Sequence, residues 1–294
     1  MAENDLKFGP LSPRPGFYDF SRADALVDFA AEHGLKVRGH VLVWHHQLPD
    51  WLKAAHYTAE QARELMRVHI FTVMGRYRGK IFQWDVVNEA VTNASRAPLR
   101  QSFWLETIGP EYIALAFRYA HEADPQAKLF YNDYGAEDLS AKSDAVYKLV
   151  RDLKQQGVPI NGVGLQCHFD VAAPPNLEAV AANLQRLADL GLELAVTEFD
   201  ARLHLPASAA NLEKQATLEH DLLAVVLRQP ACRTFMVWGL TDARSWVPNF
   251  YRGYGAALPF DAMLAPKPAL YGLERALRQA PPVVSGTGSA RPTR

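Results

Sequence analysis

The sequence predicts an α/β fold built on a parallel sheet, and two patterns carry this prediction. Short apolar runs alternate with amphipathic helical stretches along the chain, and most of the runs lack a polar/apolar alternation. Runs of that kind are typical of strands that are buried on both faces. A regular order of strand and then helix requires crossover connections, which make neighbouring strands parallel.

The strands are predicted at six apolar runs. Most of these runs contain Val, Ile or aromatic residues, which fit a buried, pleated surface. In chain order the predicted strands cover residues 36–44, 81–88, 128–132, 162–168, 193–197 and 234–240.

The helices are predicted between these strands, where start and stop residues bound the amphipathic stretches. Ser21 is a candidate N-cap, Gly34 follows the end of the same helix, and Thr58 with Gln61 forms a capping-box pattern. The predicted helices cover residues 22–33, 58–77, 110–123, 141–156, 176–190, 211–228 and 268–278.

Two architectures have this order of elements, a doubly wound open sheet and a closed barrel of eight strands. No glycine-rich phosphate loop follows any predicted strand, which weakens the nucleotide-binding open sheet. In a barrel the chemistry lies at the carboxyl ends of the strands. A functional site is therefore expected at those ends.

Composition excludes several classes of protein. Lys plus Arg number 31 and Asp plus Glu number 32, so the formal charge of −1 lacks the basic excess of a duplex-binding protein. No run approaches the roughly 18 consecutive apolar residues of a membrane span. We therefore expect neither nucleic acid nor a membrane as a partner. Two cysteines, Cys167 and Cys232, cannot form a disulfide framework and are expected to be buried and free.

The two ends of the chain differ from its body. The first five residues, MAEND, are polar and acidic and do not resemble a secretory signal peptide. Residues 281–294 are rich in Pro, Gly, Ser and Thr and predict a disordered tail. Residues 1–280 are accordingly expected to form a single barrel domain.

Polar and aromatic side chains recur where the predicted strands end. Glu89 and Glu198 lie far apart in the sequence, yet each directly follows a β run. Two carboxylates across a cleft suit glycosidic bond hydrolysis, because one protonates the leaving oxygen and the other stabilises or attacks the oxocarbenium-like carbon. Tryptophan faces stack on sugar rings, and amides and histidines bind hydroxyls.

These residues also have structural interpretations. Taken singly, Glu89 or Glu198 is equally compatible with an exposed carboxylate at a strand end. His45 and His46 could ligate a metal, but adjacent strand residues point to opposite faces and no HExxH pattern accompanies them. His40 fits a hydrogen-bonded core histidine. Packing is the expected role of three tryptophans, Trp51, Trp84 and Trp104.

Seven stretches, taken in order, resemble the family 10 glycoside hydrolases, endo-1,4-β-xylanases that fold as a TIM barrel. Each stretch alone is modestly specific, whereas all of them in family order are highly specific, and the resemblance reaches from about residue 3 to residue 278. The stretches are RGHVLVWHHQLP (38–49), WDVVNEA (84–90), YNDY (131–134), GVGLQCH (162–168), VTEFD (196–200), VWGLTDARSW (237–246) and PKPA (266–269).

The resemblance implies roles for the two carboxylates. Glu89 matches the general acid/base and Glu198 the nucleophile of a retaining mechanism, for which the carboxyl groups lie roughly 5–5.5 Å apart. Asn88 matches the residue that hydrogen-bonds the 2-hydroxyl of the sugar being cleaved. His168, with Asp200 behind it, is expected to keep Glu198 ionised while Glu89 stays protonated.

The resemblance also implies a substrate site for xylan and xylo-oligosaccharides that needs no cofactor or metal, in a secreted or periplasmic enzyme. The sugar-binding wall on the non-reducing side matches His40, Trp44, Gln47, Trp238 and Trp246. Contacts at the centre and on the leaving-group side match Gln166, Asn132 and Tyr134. Xylose-binding positions in the family's E-N-x-M-K-W step match Glu3, Asn4 and Lys7.

One departure from the family concerns the start of the chain. The step at Glu3 matches the end of the second barrel strand, so we expect the first strand, the first helix and most of the second strand to be absent and the barrel to be incomplete at its N-terminus. A sequence whose true start lies upstream, with a secretion signal, is the explanation we favour. A natural short form and a decayed, inactive relative are the alternatives.

Three functions compete with a xylanase. A retaining β-1,4-glucanase is disfavoured because the resemblance is to a xylose pocket without room for a C6 hydroxymethyl group. A non-catalytic xylan-binding relative would retain the aromatic cleft and lose catalysis through the truncation. A metal-dependent hydrolase using His45, His46 and His168 is the weakest alternative.

Overall fold

The computed structural model describes residues 1–94, 96 and 98–280, so the predicted tail at 281–294 lies outside the described residues. The strands are β1 (Val37–Val43), β2 (Ile81–Asn88), β3 (Lys128–Asp133), β4 (Gly162–Leu165), β5 (His168–Asp170), β6 (Glu193–His204), β7 (Cys232–Val237) and β8 (Tyr254–Gly255). The helices are α1 (Phe8–Leu11), α2 (Ser21–Glu32), α3 (Asp50–Lys53), α4 (Ala59–Arg76), α5 (Phe103–Ile108), α6 (Tyr112–Ala123), α7 (Ala141–Gln155), α8 (Leu177–Asp189), α9 (Ala209–Leu227), α10 (Val247–Phe250) and α11 (Pro268–Gln279).

The sheet is a curled wall of parallel strands. The strands β1, β2, β3, β4, β6 and β7 pair in that order, each parallel to the next. Beyond this wall, β5 pairs in parallel and β8 antiparallel with the distal part of β6. Within the described residues, β1 pairs only with β2 and β7 only with β6. The predicted α/β architecture is confirmed, with six strands in the parallel wall.

Burial on both faces explains why the strands lack alternation. Every residue of β1 is buried, and packing at Gly39 shows how close the neighbouring side chains come. A Cβ at this glycine would lie 2.1 Å from the ring of Trp84, which is itself 1% exposed. The indole therefore packs directly against the β1 backbone, and only glycine leaves room for it.

Some predicted boundaries are confirmed and others are wrong. The capping box of Thr58 and Gln61 is present at the start of α4. Ser21 is not an N-cap, because the helix begins at this residue and Asp19 accepts a hydrogen bond from its N–H. The predicted strand at 162–168 is broken at Cys167, where a φ of 62° turns the backbone left-handed. β4 therefore ends before this turn, and His168 begins a separate strand.

The cysteines and the hydropathy of the helices are also subjects of prediction. Cys167 and Cys232 are both free, as predicted, although Cys232 is only partly buried. In the described ranges, none of the helices is both long and apolar enough to cross a membrane.

Candidate active site

The two candidate catalytic carboxylates lie at the carboxyl edge of neighbouring parts of the sheet. Glu89 directly follows β2, and its backbone N–H donates to the carbonyl of Asn132 at 2.9 Å. Glu198 lies within β6, where its side chain is buried. The two residues are far apart in the sequence, but the sheet brings their strands to the same edge, because β2, β3, β4 and β6 pair in that order.

A chain of amide hydrogen bonds joins the two carboxylates. Gln166 donates through Nε2 to Glu89 Oε1 at 3.0 Å and to Asn88 Oδ1 at 3.2 Å. Asn132 donates through Nδ2 to Asn88 Oδ1 at 2.9 Å and to Glu198 Oε1 at 2.7 Å. The predicted residues Asn88, Asn132 and Gln166 thus form a chain that contacts Glu89 at one end and Glu198 at the other.

His168 connects Glu198 to Asp200. Its ring nitrogens lie 3.3 Å from Glu198 Oε2 and 2.9 Å from Asp200 Oδ2. Burial alone lowers the pKa of this imidazole, but the adjacent carboxylates, Asp200 foremost, outweigh burial and raise it to about 10. The ring is then cationic at neutral pH and donates from both nitrogens, one to Glu198 and one to Asp200. Trp246 completes the group by donating its indole N–H to Asp200 Oδ2 at 2.7 Å.

Glu89 has a different environment. It is partly exposed, and Trp44 donates its indole N–H to Oε2 at 3.0 Å. His45 Nε2 lies 3.9 Å from the same oxygen. Burial, together with nearby positive charge from His46, Arg100 and Lys142, lowers the pKa of His45 to about 3. His45 is therefore neutral at neutral pH and places no positive charge beside Glu89.

The predicted sugar-binding wall brings the start of the chain against the end of β1. Asn4 Oδ1 accepts from Lys7 Nζ at 3.2 Å and from Gln47 Nε2 at 3.1 Å. The Lys7 ammonium lies 4.6 Å from the Trp44 ring and 5.9 Å from the Trp238 ring. Burial lowers the pKa of Lys7, and the carboxylates of Glu198, Glu89 and Glu3 partly oppose that shift.

Three remaining predicted residues flank the carboxylates. Burial raises the pKa of Glu3. The charge of Lys7 opposes this shift, and the charge of Glu198 adds to it. His40 packs edge-on against Trp238, with its Nδ1 at 3.0 Å from Asp85 Oδ2 and 3.8 Å from Glu198 Oε1. On the opposite side, the Tyr134 hydroxyl accepts from Arg100 at 3.1 Å and from Asn93 at 3.2 Å.

Several residues of the site were not predicted. Asp85 is completely buried and pairs with His40 and with Arg38, which also donates to Gln83. Thr197 donates to Asn132 Oδ1 at 2.8 Å, which fixes the orientation of that amide. The signal for Asp85 and Arg38 was available in the sequence, because a charge inside an apolar strand needs a buried partner.

The three tryptophans that are expected to pack are all at least partly buried. Trp84 and Trp104 are buried in the core, as expected, and Trp51 is partly buried with its indole N–H on the Ser12 carbonyl at 2.7 Å. Within the described ranges, no three His, Cys, Asp or Glu side chains are grouped as ligands for a metal ion.

Comparison with known proteins identifies the family of the chain. The family model Glyco_hydro_10, glycosyl hydrolase family 10, matches residues 1–276. Endo-1,4-beta-xylanase B of Thermotoga neapolitana is 41% identical over 94% of this chain and 79% of its own length. Native xylanase 10B from Thermotoga maritima superposes with a TM-score of 0.91 at 43% identity, over 94% of this chain and 84% of that one.

A second solved structure adds a ligand to the comparison. Xylanase 10B from Thermotoga petrophila RKU-1, described in complex with xylobiose, has a TM-score of 0.91 and 42% identity over 94% of this chain and 84% of that one. The resemblance seen in the sequence and the predicted TIM-barrel fold class are both confirmed. The chain belongs to glycosyl hydrolase family 10.

Proposed function

We propose that this protein is a retaining endo-1,4-β-xylanase in which Glu89 is the general acid/base and Glu198 the nucleophile. The observation that carries the proposal is the difference between the two carboxylates. Glu198 is buried and accepts from Asn132 and His168, whereas Glu89 is partly exposed and accepts from Trp44, Asn88 and Gln166. Two carboxyl groups with different surroundings are what a double displacement requires.

In the first step, a carboxylate oxygen of Glu198 attacks C1 of the sugar and the bond from C1 to the leaving oxygen breaks. The carboxyl proton of Glu89 moves to that leaving oxygen, which departs as a hydroxyl. The cationic His168 supports the ionised form of Glu198 before attack. Asn88, whose Oδ1 accepts from Gln166 and Asn132, is positioned by both amides to contact the 2-hydroxyl.

In the second step, the carboxylate of Glu89 takes a proton from water while the water oxygen attacks C1. The bond between C1 and Glu198 breaks, which releases the nucleophile and restores the β-configuration. Glu89 acts first as an acid and then as a base, so it regains in the second step the proton that it donated in the first.

The specificity for xylan is proposed from the wall around Asn4. This residue joins Lys7 and Gln47 beside the Trp44 and Trp238 rings, the positions that resemble a xylose pocket. The relatives named as xylanases and the xylobiose complex support the same substrate class. A retaining β-1,4-glucanase is the competing assignment, and more rapid hydrolysis of carboxymethylcellulose than of xylan would favour it.

The experiment is reducing-sugar release from xylan by the purified chain and its variants. We expect activity in the parent and in Glu122→Ala, which removes an exposed carboxylate on α6, and loss of activity in Glu89→Ala and in Glu198→Ala. Full activity in either of the last two variants would reject the assignment. No release by the parent would favour the xylan-binding protein without catalysis.

The domain and its location are proposed with the function. Residues 1–280 are expected to act as one catalytic barrel, so removing 281–294 should leave xylan hydrolysis unchanged. Because polymeric xylan does not cross a membrane, we propose that the enzyme acts outside the cytoplasm, in the periplasm or after secretion. Assay of cell fractions with xylan distinguishes this location from the cytoplasm.

A further inference from the structure

The backbone at Glu89 has a conformation that residues other than glycine rarely adopt. Its φ is 56°, in the left-handed region where the Cβ is crowded by the backbone. A side chain with catalytic chemistry keeps such a conformation only where its surroundings impose it. The groups that impose it are therefore part of how this carboxyl is aimed.

Arg100 binds three consecutive carbonyl groups that begin at Glu89. Its Nε donates to the carbonyl of Glu89 at 2.9 Å and its Nη2 to that of Val91 at 3.2 Å. Between them, the carbonyl of Ala90 accepts from the backbone N–H of Arg100 at 2.7 Å. One residue thus fixes the carbonyl side of the left-handed turn.

The other side of the turn is fixed independently of Arg100. The backbone N–H of Glu89 donates to Asn132, and its carboxylate accepts from Trp44 and Gln166. The amide and indole donors can hold the carboxylate only where the backbone brings it. Arg100, by binding the carbonyls of Glu89 and Val91, fixes the backbone that brings the carboxylate to these donors.

The contacts of Arg100 are with neutral groups. Besides the carbonyls, its Nη2 donates to the Tyr134 hydroxyl at 3.1 Å. Among the ion pairs of the described residues, none within 4.0 Å includes this guanidinium. Its contribution to Glu89 is therefore one of position, made through the backbone rather than by a direct pair with the carboxylate.

We propose that Arg100 is a positioning residue for the acid/base, which holds the left-handed backbone at Glu89 and so aims its carboxyl at the leaving oxygen. This inference rests on the proposed function of Glu89. Arg100 touches neither the reacting atoms nor the proton that moves. Its loss should impair proton donation to the leaving group and leave the attack by Glu198 intact.

Leaving-group chemistry separates these two effects. A poor leaving group such as phenol or a sugar hydroxyl needs the proton from Glu89, whereas 2,4-dinitrophenol departs without it. In Arg100→Met, we expect kcat/KM for phenyl β-xylobioside to fall about 10²-fold, the typical effect of a misplaced catalytic group. For 2,4-dinitrophenyl β-xylobioside, kcat/KM should stay within about threefold of the parent.

Azide gives a second readout. With the dinitrophenyl substrate, turnover of Arg100→Met should be limited by the second step, which needs Glu89 as base. Azide attacks C1 without a base, so it should raise kcat of the variant and yield xylobiosyl azide, with little effect on the parent. A merely structural role for Arg100 predicts no such rescue.

Two further variants serve as a control and as a conservative replacement. Arg118→Met removes a guanidinium that also donates to a backbone carbonyl, that of Gln156 at 3.2 Å, but lies away from the site, and it should leave both substrates unaffected. Arg100→Lys retains a cation without the two-pronged donor and should show the same leaving-group dependence, more weakly. It also serves if Arg100→Met does not fold.

The outcomes distinguish this inference from the proposed function. Equal loss of kcat/KM for both leaving groups, or no loss for phenyl β-xylobioside, would overturn the role of Arg100. Glu89→Ala is measured in parallel and should show the same leaving-group dependence more strongly. If Glu89→Ala shows it and the Arg100 variants do not, only the positioning role fails. If Glu89→Ala does not, the assignment of the acid/base fails.

Discussion

The Oδ2 oxygen of Asp200 accepts a hydrogen bond from the indole of Trp246 at 2.7 Å and another from the imidazole of His168 at 2.9 Å. One carboxylate oxygen therefore fixes both a residue of the proposed sugar-binding wall and the histidine beside the proposed nucleophile, Glu198. Asp200 therefore links Trp246 to the histidine that contacts Glu198.

Replacing Asp200 by Asn should lower the pKa of His168. The carboxylates of Asp200 and Glu198 raise that pKa to about 10 against the effect of burial, so losing one of them moves it toward or below its ordinary value of 6.5. Titration of the His168 ring by NMR measures the shift. In the parent, the stabilisation from this group should be fully present below pH 6.5 and lost as the pH rises through 10.

The control for this prediction is His220, a partly buried histidine on α9 that lies 2.7 Å from Asp221, outside the site. Its titration should be the same in the parent and in Asp200→Asn. A His168 that titrates near 6.5 in the parent would contradict the description of a cationic ring held between two carboxylates.

Replacing Glu219 by Gln should stabilise the protein, and more so at high pH. This carboxyl is completely buried in α9, and among the described residues neither of its oxygens has a hydrogen-bond partner. Burial raises its pKa to about 8 from 4.5, with Lys267 opposing the shift and Asp242 adding to it. The parent therefore loses stability between those pH values, by roughly 3–5 kcal/mol in total, whereas the Gln variant does not.

Urea unfolding of parent and variant between pH 5 and pH 9 measures this difference, at ~0.5-unit steps of pH. The matched control is Glu213→Gln, which changes an exposed carboxyl on the same helix and should leave the free energy of unfolding unaltered. A constant difference between Glu219→Gln and the parent at every pH would show that Glu219 does not titrate in this range.

Replacing Asn4 by Ala should weaken substrate binding more than it slows the chemical step. Its Oδ1 accepts from both Lys7 and Gln47, so its loss leaves two donors without their shared acceptor and frees both side chains. We expect KM for xylotriose to rise about tenfold, which corresponds to ~1.4 kcal/mol, with kcat changing less. Steady-state kinetics measures both terms, and a fall confined to kcat would contradict a binding role.

Replacing Gly39 by Ala should destabilise the fold. The added Cβ would lie 2.1–2.5 Å from atoms of the Trp84 ring, which cannot move within a buried core. Overpacking of this kind typically costs about 1–3 kcal/mol, visible as a lower Tm. Gly75→Ala is the matched control, because nothing lies within 4 Å of its added Cβ in α4, and it should be neutral or mildly stabilising. Equal Tm values for the two variants would argue against the packing at Gly39.

Local patterns predicted most of the fold. The capping box at Thr58 and the polar ends of the strands are encoded in neighbouring residues, so they could be read directly from the sequence. The break at Cys167 could not, because its left-handed φ is imposed on a residue with no local preference for it. The extension of β6 to His204 likewise depends on pairing with β5 and β8, which are distant partners.

The candidate site was predicted as a set of residues but not as a network. The predicted residues include direct hydrogen-bond partners of both carboxylates, whereas the amide chain through Asn88 and Asn132 depends on strand register. Arg100 had no local signal, since its role arises from a return of the chain onto the carbonyls of Glu89 and Val91. Contacts of that kind become visible only in three dimensions.

Trapping the covalent intermediate tests the proposed double displacement most directly. Incubation with 2,4-dinitrophenyl 2-deoxy-2-fluoro-β-xylobioside slows both steps but leaves the good leaving group free to depart, so a glycosyl-enzyme should accumulate. Mass spectrometry of the intact protein and of its peptides measures the result. We predict the addition of one fluoroxylobiosyl group, located on Glu198. An unlabelled protein that still hydrolyses xylan, or a label on another residue, would contradict the role of Glu198 as the nucleophile.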